Sequence, residues 1–202
     1  MENTKKGTSV ALTFTMFFVG GIIGFWVGSS GYATQSGVHV MPDGTVMPNM
    51  VAASIDKQFI VDMIPHHEGA IAMAKIALRR SQRGEIKKLA AEIVSAQEKE
   101  IRDMTSWYSE WFGGTVPESS MAGMHMQGMM GVPSALESVS DKDFDKVFID
   151  QMIPHHEMAV MMAMLLGSGT DREEMKGLAE AVHSSQSAEI EKMKSWRRAW
   201  YE

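Results

Sequence analysis

A methionine followed three residues later by two adjacent histidines occurs twice in this chain. The first copy is Asp56-Lys57-Gln58-Phe59-Ile60-Val61-Asp62-Met63-Ile64-Pro65-His66-His67-Glu68. The second stands 89 positions later as Asp145-Lys146-Val147-Phe148-Ile149-Asp150-Gln151-Met152-Ile153-Pro154-His155-His156-Glu157. Neutral imidazole and thioether sulfur are ligands that favour copper, and thioether suits the soft Cu(I) ion in particular. A lone histidine on an apolar face is usually a hydrogen-bonded core residue. Two adjacent ones, duplicated and each with a methionine one turn away, point instead to metal ligation by His66, His67, His155 and His156. Methionine also fills gaps in cores, so Met63, Met73, Met152 and Met162 are the weaker members of this ligand set.

Helical phase sharpens the motif. Each residue of a helix advances by about 100°. With His66 at zero, Met63 falls at about 60°, His67 at about 100° and Met73 at about −20°. The apolar Phe59, Ile60, Ala74, Ala77 and Leu78 occupy the same sector, so the histidines flank a core-facing stripe. Glu68 falls at about 200°, on the solvent side, and the second copy repeats the map with Glu157 outside. Pro65 and Pro154 each remove a backbone hydrogen bond, which predicts a kink or a new helical segment just before the histidines.

The elements that must carry these residues are helices. Ser54 is a candidate N-cap for a helix reaching about Arg80, and Gly84 follows as a break. A second helix runs from about Glu85 to Tyr108, with Ile86, Leu89, Ile93, Ile101, Met104 and Tyr108 as a stripe at threes and fours. Gly113, Gly114 and Pro117 end this hairpin. A helix from about Asp141 to Leu166 ends at Gly167-Ser168-Gly169, and another from about Asp171 to the C-terminus carries Leu178, Val182, Ile190, Met193 and Trp196. The offset of 89 pairs Leu89 with Leu178, Gln97 with Gln186, Glu100 with Glu189, Met104 with Met193 and Trp107 with Trp196. Two helical hairpins of equal length, each with one apolar face, bury those faces as an all-α four-helix bundle. Gln97 and Gln186 interrupt buried stripes. They are either plain polar bundle positions or partners for the free nitrogen of a ligating histidine. Glu100 and Glu189 are expected in solvent.

Further soft ligands lie outside the motif. Residues 34–53 form a tether in which Pro-Asp-Gly makes a tight reversal with His39, Met41 and Met47 around it. The linker 113–140 contains Met121, Met124, His125, Met126, Met129 and Met130 among glycines, a biased segment suited to mobile soft-metal capture. His183, three residues before Gln186, is a further candidate ligand.

The chain has 202 residues, no cysteine, 20 methionines and a net charge of −6. That length suits one bundle of residues 54–202 with flanking segments. Without cysteine there is no disulfide framework or thiolate site, so thioether is the available soft ligand, a choice suited to an oxidising compartment. The acidity and lack of a basic patch argue against nucleic acid as a partner. Lys5 and Lys6 precede the uncharged stretch Val10–Val27, and the next basic residue is Lys57. Eighteen such residues approach the length that spans a bilayer, and the charge bias leaves the remainder outside the cytoplasm. Residues 1–33 are therefore read as an inner-membrane anchor through residues 10–27, in preference to a cleaved signal segment; either exports the domain.

A carboxylate-bridged di-iron oxidase would need glutamates pointing inward from the bundle helices, whereas Glu68 and Glu157 point out. A metal-free structural module would use the histidines as polar core residues. No nucleophile–base pair or phosphate loop appears, so the chain reads as a binding protein and not an enzyme.

The doubled D-x-x-F-I-x-x-M-I-P-H-H-E, followed by A-x-x-M and later by Q-x-x-E-I-x-x-M-x-x-W, resembles the family called domain of unknown function 305, over residues 54–201. The turn at Met41–Gly44 resembles segments found upstream in such proteins. The resemblance implies a ferritin-like four-helix bundle and periplasmic binding of copper or silver; members differ in the metals they hold, so the preference for Cu(I), with Cu(II) as a further ion, is read from the thioethers. The resemblance also implies a contribution to metal tolerance alongside other copper-handling proteins. Carried over by motif position, it implies Met63, His66, His67 and Met73 as ligands, with Met152, His155, His156 and Met162 in the second copy. The N-terminal apolar segment departs from a freely diffusing product.

Overall fold

A computed structural model of the chain describes residues 39–40, 46–47, 50–118 and 133–202, with side chains from residue 52 onward. All of these belong to one compact unit, Gly37–Glu202. The apolar stretch 10–27, and with it the expected membrane segment, lies outside the described residues. So do Met41, Met121, Met124, His125, Met126, Met129 and Met130. Among the described residues no helix is long and apolar enough to cross a membrane.

Two short strands, β1 (His39–Val40) and β2 (Val46–Met47), pair antiparallel with His39 opposite Met47. The Pro-Asp-Gly segment between them, where a tight reversal is expected, lies outside the described residues. The rest is helical: α1 (Met50–Arg80), α2 (Gly84–Phe112), α3 (Pro133–Ser138), α4 (Phe144–Gly169) and α5 (Glu173–Tyr201). The closest packing is α1 with α2, α4 with α5, and α1 with α4. The buried residues of α2 (Ile86, Leu89, Ala90, Ile93, Gln97, Met104 and Tyr108) recur at threes and fours along one stripe. Those of α5 do the same. By contrast α1 and α4 each pack against two long helices and are buried around more of their circumference.

Two local expectations are corrected, while the helix ends near Gly84 and Gly169 fall where the sequence put them. Ser54 caps nothing; α1 starts at Met50 and Ser54 is an exposed residue inside it. Gly84 opens α2, and α4 runs through Gly167 and Ser168 to Gly169. Neither proline starts a new segment, because α1 continues through Pro65 and α4 through Pro154. The linker is also less empty than its composition suggests. Within it α3 folds onto α1, with Leu136 fully buried. Arg80 holds α3 there by donating to the carbonyls of Leu136 (2.6 Å), Glu137 (3.0 Å) and Val139 (2.5 Å) and to Asp141 (2.6 Å).

The duplication is visible at the hairpin turns. The Ser81 hydroxyl accepts the backbone N–H of Arg83, and Thr170 accepts that of Arg172, both at 3.1 Å. Each arginine then reaches the other hairpin. Arg172 pairs with the buried Asp56 at 3.3 Å and lies 4.1 Å from the Trp111 ring. Arg83 pairs with Asp145 at 3.6 Å and lies 4.0 Å from the Trp200 ring. These two latches fix how the hairpins face one another, and so how their histidines meet.

Candidate metal centre

The four histidines of the motif converge in the bundle interior. His66 is 3% exposed, and His67, His155 and His156 are fully buried. Helical phase on α1 and α4 turns each pair inward, and the hairpin latches set the pairs face to face. The His66 and His155 rings touch across the pseudo-two-fold, with centroids 3.8 Å apart and planes at 44°. His67 lies 6.4 Å from His66, and His156 lies 6.1 Å from His155. The two motif copies therefore meet at His66 and His155, with His67 and His156 on either side.

Both outer imidazoles are oriented by a carboxylate. His67 Nε2 is 2.7 Å from Glu100 Oε2, and His156 Nε2 is 2.7 Å from Glu189 Oε2. A carboxylate only accepts, so Nε2 carries a proton, and in the neutral imidazole Nδ1 keeps its lone pair. That Nδ1 has no protein partner in either residue, and the ring nitrogens of His66 and His155 make no hydrogen bond of good geometry, each ring lying only near the other's backbone. Six buried imidazole nitrogens without good hydrogen bonds are costly unless something else binds them. Burial, followed by the charges of His67 and His156, lowers the pKa of His66 to about 3. Burial first, then the neighbouring histidines, also holds His155 well below its ordinary value. Both are neutral at pH 7 with lone pairs available, the form that ligates metals.

The thioethers sit one turn away. Met63 and Met152 precede the contacting histidines by three residues and are fully buried. Met63 shares its core cluster with Met104, and half-buried Met162 packs against that cluster. Met152 shares the other cluster with Met73 and Met193. Among the described residues no group of three or more histidine, aspartate or glutamate side chains is gathered as a ready cage. The donor set on offer is imidazole plus thioether, which fits a soft monovalent cation better than a hard one.

Several sequence expectations fall differently. Glu68 and Glu157 are exposed as expected, with Glu157 paired to Lys194 at 2.9 Å. Glu100 and Glu189, expected in solvent, instead hold the imidazoles. Gln97 and Gln186, the candidates for that role, are buried with Oε1 unpartnered. His183 lies outside the centre, exposed on α5 beside Met164. It closes a Glu-x-x-His run with Glu180, a di-iron signature elsewhere, but both residues face outward. Met104 and Met193, read only as core, sit one turn beyond the two glutamates and extend the thioether set. Gln97, Glu100 and Met104, like Gln186, Glu189 and Met193, are spaced by three and four, so the glutamates border the inner stripe by phase; that spacing marks their position but not the histidines they meet.

Comparison with known proteins places this arrangement. The pattern of one family, described as "Domain of unknown function (DUF305)", matches residues 56–197. The solved structure of CopM in its Cu(I)-bound form is 44% identical, with a TM-score of 0.65 over 73% of this chain and 98% of that one. The Cu(II)-bound form of CopM is 47% identical, with a TM-score of 0.66 over 72% of this chain and 97% of that one. A DUF305 fragment from Deinococcus radiodurans is 26% identical, with a TM-score of 0.65 over 73% of this chain and 98% of that one. An uncharacterized protein of Acanthamoeba polyphaga mimivirus is 44% identical over 55 residues, 27% of this chain and 36% of the relative.

Proposed function

This chain belongs to the DUF305 family, and from that premise we propose that it binds copper outside the cytoplasm. In this reading it prefers Cu(I), accepts Ag(I) and Cu(II), and buffers the metal without catalysis. The observation that carries the reading is the set of six nitrogens without a good hydrogen bond on four buried histidines, flanked by buried thioethers. CopM, its relative of similar fold, has been solved with Cu(I), with Cu(II) and with silver.

Thioether sulfur favours a soft monovalent ion, and the neutral imidazoles supply the nitrogen donors common to both oxidation states of copper. Glu100 and Glu189 fix which nitrogen of His67 and His156 is free. A cation bound between His66 and His155 joins the two hairpins, so it stabilises the bundle by an amount that grows with metal concentration. The flanking segments, with His39, Met41 and Met47 upstream and Met121, Met124, His125, Met126, Met129 and Met130 in the linker, act as soft capture sites. Residues 10–27 hold the chain at the inner membrane.

Titration of the full chain with Cu(I) against a competing chelator tests this reading. Wild type is expected to hold Cu(I) with an affinity that falls at least tenfold in His66→Ala/His155→Ala. That scale follows from losing a metal-orienting group, about 10–100-fold, applied here to ligands themselves. Equal affinity in the double variant, or no Cu(I) bound by wild type, refutes it.

A further inference from the structure

The histidines are closed off from solvent, so an ion needs a route to them. The two repeats provide one route and its own internal control. On the face between α2 and α5 lies a surface groove to which α2 contributes Glu100, Asp103 and Trp107 and α5 contributes Glu174, Gly177 and Ala181. Glu100 is the carboxylate whose Oε2 touches His67 Nε2, and its side chain is 15% exposed. One group thus faces both the groove and the centre. Behind it, fully buried His67 has Nδ1 unpartnered, and Gln97, one turn earlier on α2, has its buried Oε1 unpartnered.

The repeat-related groove is built differently. At the positions of Gly177, Ala181 and Asp103 it has Lys88, Glu92 and Lys192. Lys192 reaches across from α5 to Glu92 at 3.8 Å, and Lys88 approaches Glu92 at 3.9 Å. Glu189 touches His156 and is as exposed as Glu100, but the residues in front of it are this lysine–glutamate pairing and not an acidic lining. In the first groove Glu100, Asp103 and Glu174 face a single cation, Lys99, which is paired with Asp103 at 2.6 Å. In the second, Glu85 and Glu92 are matched by Lys88 and Lys192. One groove is acidic; its twin, lined by two glutamates and two lysines, is smaller and neutral.

We infer that the groove between α2 and α5 at Glu100, Asp103 and Glu174 is the port through which soft monovalent cations reach the histidine centre, and that its twin at Glu92 and Lys192 is closed to them. The inference rests on the metal-binding reading and names its route. The acidic groove concentrates the cation at the surface. Glu100 then meets it, and the ion passes to His67 with no change of its own charge.

The experiment exchanges the linings and follows Ag(I) uptake by stopped-flow tryptophan fluorescence on the full chain. Asp103→Lys/Gly177→Lys/Ala181→Glu gives the first groove the lining of the second. A Cβ at Gly177 meets nothing within 4 Å, and residues 177 and 181 are exposed, so the bundle tolerates the change. Association is expected to slow on the order of tenfold or more, with the number of Ag(I) ions held and the equilibrium affinity unchanged, because release slows in step. Adding Lys88→Gly/Glu92→Ala/Lys192→Asp opens the other end and is expected to restore fast uptake. Asp103→Lys alone should slow uptake severalfold at low salt and much less at high salt, where exposed charges are screened. Wild-type rates in the lining variants with Ag(I) binding retained overturn the port and leave the metal-binding reading standing. Absence of Ag(I) binding in wild type overturns both.

Discussion

Replacing His66 and His155 together by leucine should make the metal-free protein more stable while abolishing its response to metal. The two rings are buried against one another, and none of their four nitrogens makes a hydrogen bond of good geometry, the nearest polar group to each ring being the other histidine's backbone. Leaving a buried polar group unsatisfied costs about 1–3 kcal/mol, and replacing it by an apolar group of similar shape can recover that cost. Taking one such cost per imidazole gives a gain of about 2–6 kcal/mol for the pair, before any loss from imperfect packing of the leucines. For a bundle of this size each kcal/mol moves Tm by about 2–4 °C, so the variant is expected to melt roughly 4–24 °C higher. The assay is thermal unfolding of the chelator-treated full chain, followed by far-UV circular dichroism, with and without added Ag(I). Wild type should gain stability with Ag(I) and the variant should not. A variant that melts below wild type in the absence of metal would show that the histidines support the core, and the reasoning from unsatisfied nitrogens would fail.

Other consequences are as specific. Because the pKa of His66 is lowered to about 3 in the fold while an unfolded histidine titrates at about 6.5, the unfolded chain binds more protons between those values. Metal-free stability should therefore be complete above about pH 6.5 and decline as pH falls toward 3, by about 2 kcal/mol at pH 5 from this residue alone, as read by urea unfolding at stepped pH. A flat profile over that range would contradict the burial argument. Glu100→Gln and Glu189→Gln should each weaken Cu(I) affinity about 10–100-fold in chelator competition, since an amide no longer fixes which imidazole nitrogen is free; unchanged affinity would make these glutamates incidental. Arg83→Ala and Arg172→Ala should each cost about 1–3 kcal/mol in denaturant unfolding, through a lost ion pair and a lost stack on tryptophan. If either loss is below a few tenths of a kcal/mol, the hairpins are held by other contacts.

Much of this architecture could be read from residue order. The repeat offset paired the helices correctly, the threes-and-fours stripe of Ile86, Leu89 and Ile93 marked a buried face, and phase alone put Glu68 outside and His66 inside. These features are periodic, and periodicity survives without coordinates. The features that escaped depend on distance between elements. Glu100 looked like a surface residue because its phase borders the stripe, and only the approach of α1 brings His67 within reach. α3 has one buried apolar residue, Leu136, too few to show a period, and Arg80 decides its position from another helix. His183 resembled a ligand by type and spacing, yet it has no counterpart in the first repeat and α5 turns it outward. Ser54 lost its capping role because the helix starts about one turn earlier, at Met50, directly after Asn49, a residue type also favoured at N-caps.

X-ray absorption at the copper edge on the full chain loaded with one equivalent of Cu(I) tests the central claim most directly. The predicted first shell contains both sulfur and nitrogen, and its nitrogen contribution disappears in His66→Ala/His155→Ala with His67→Ala/His156→Ala. A shell of nitrogen and oxygen alone, or a spectrum unaltered when all four histidines are removed, would contradict an imidazole–thioether centre at the meeting of the two motifs.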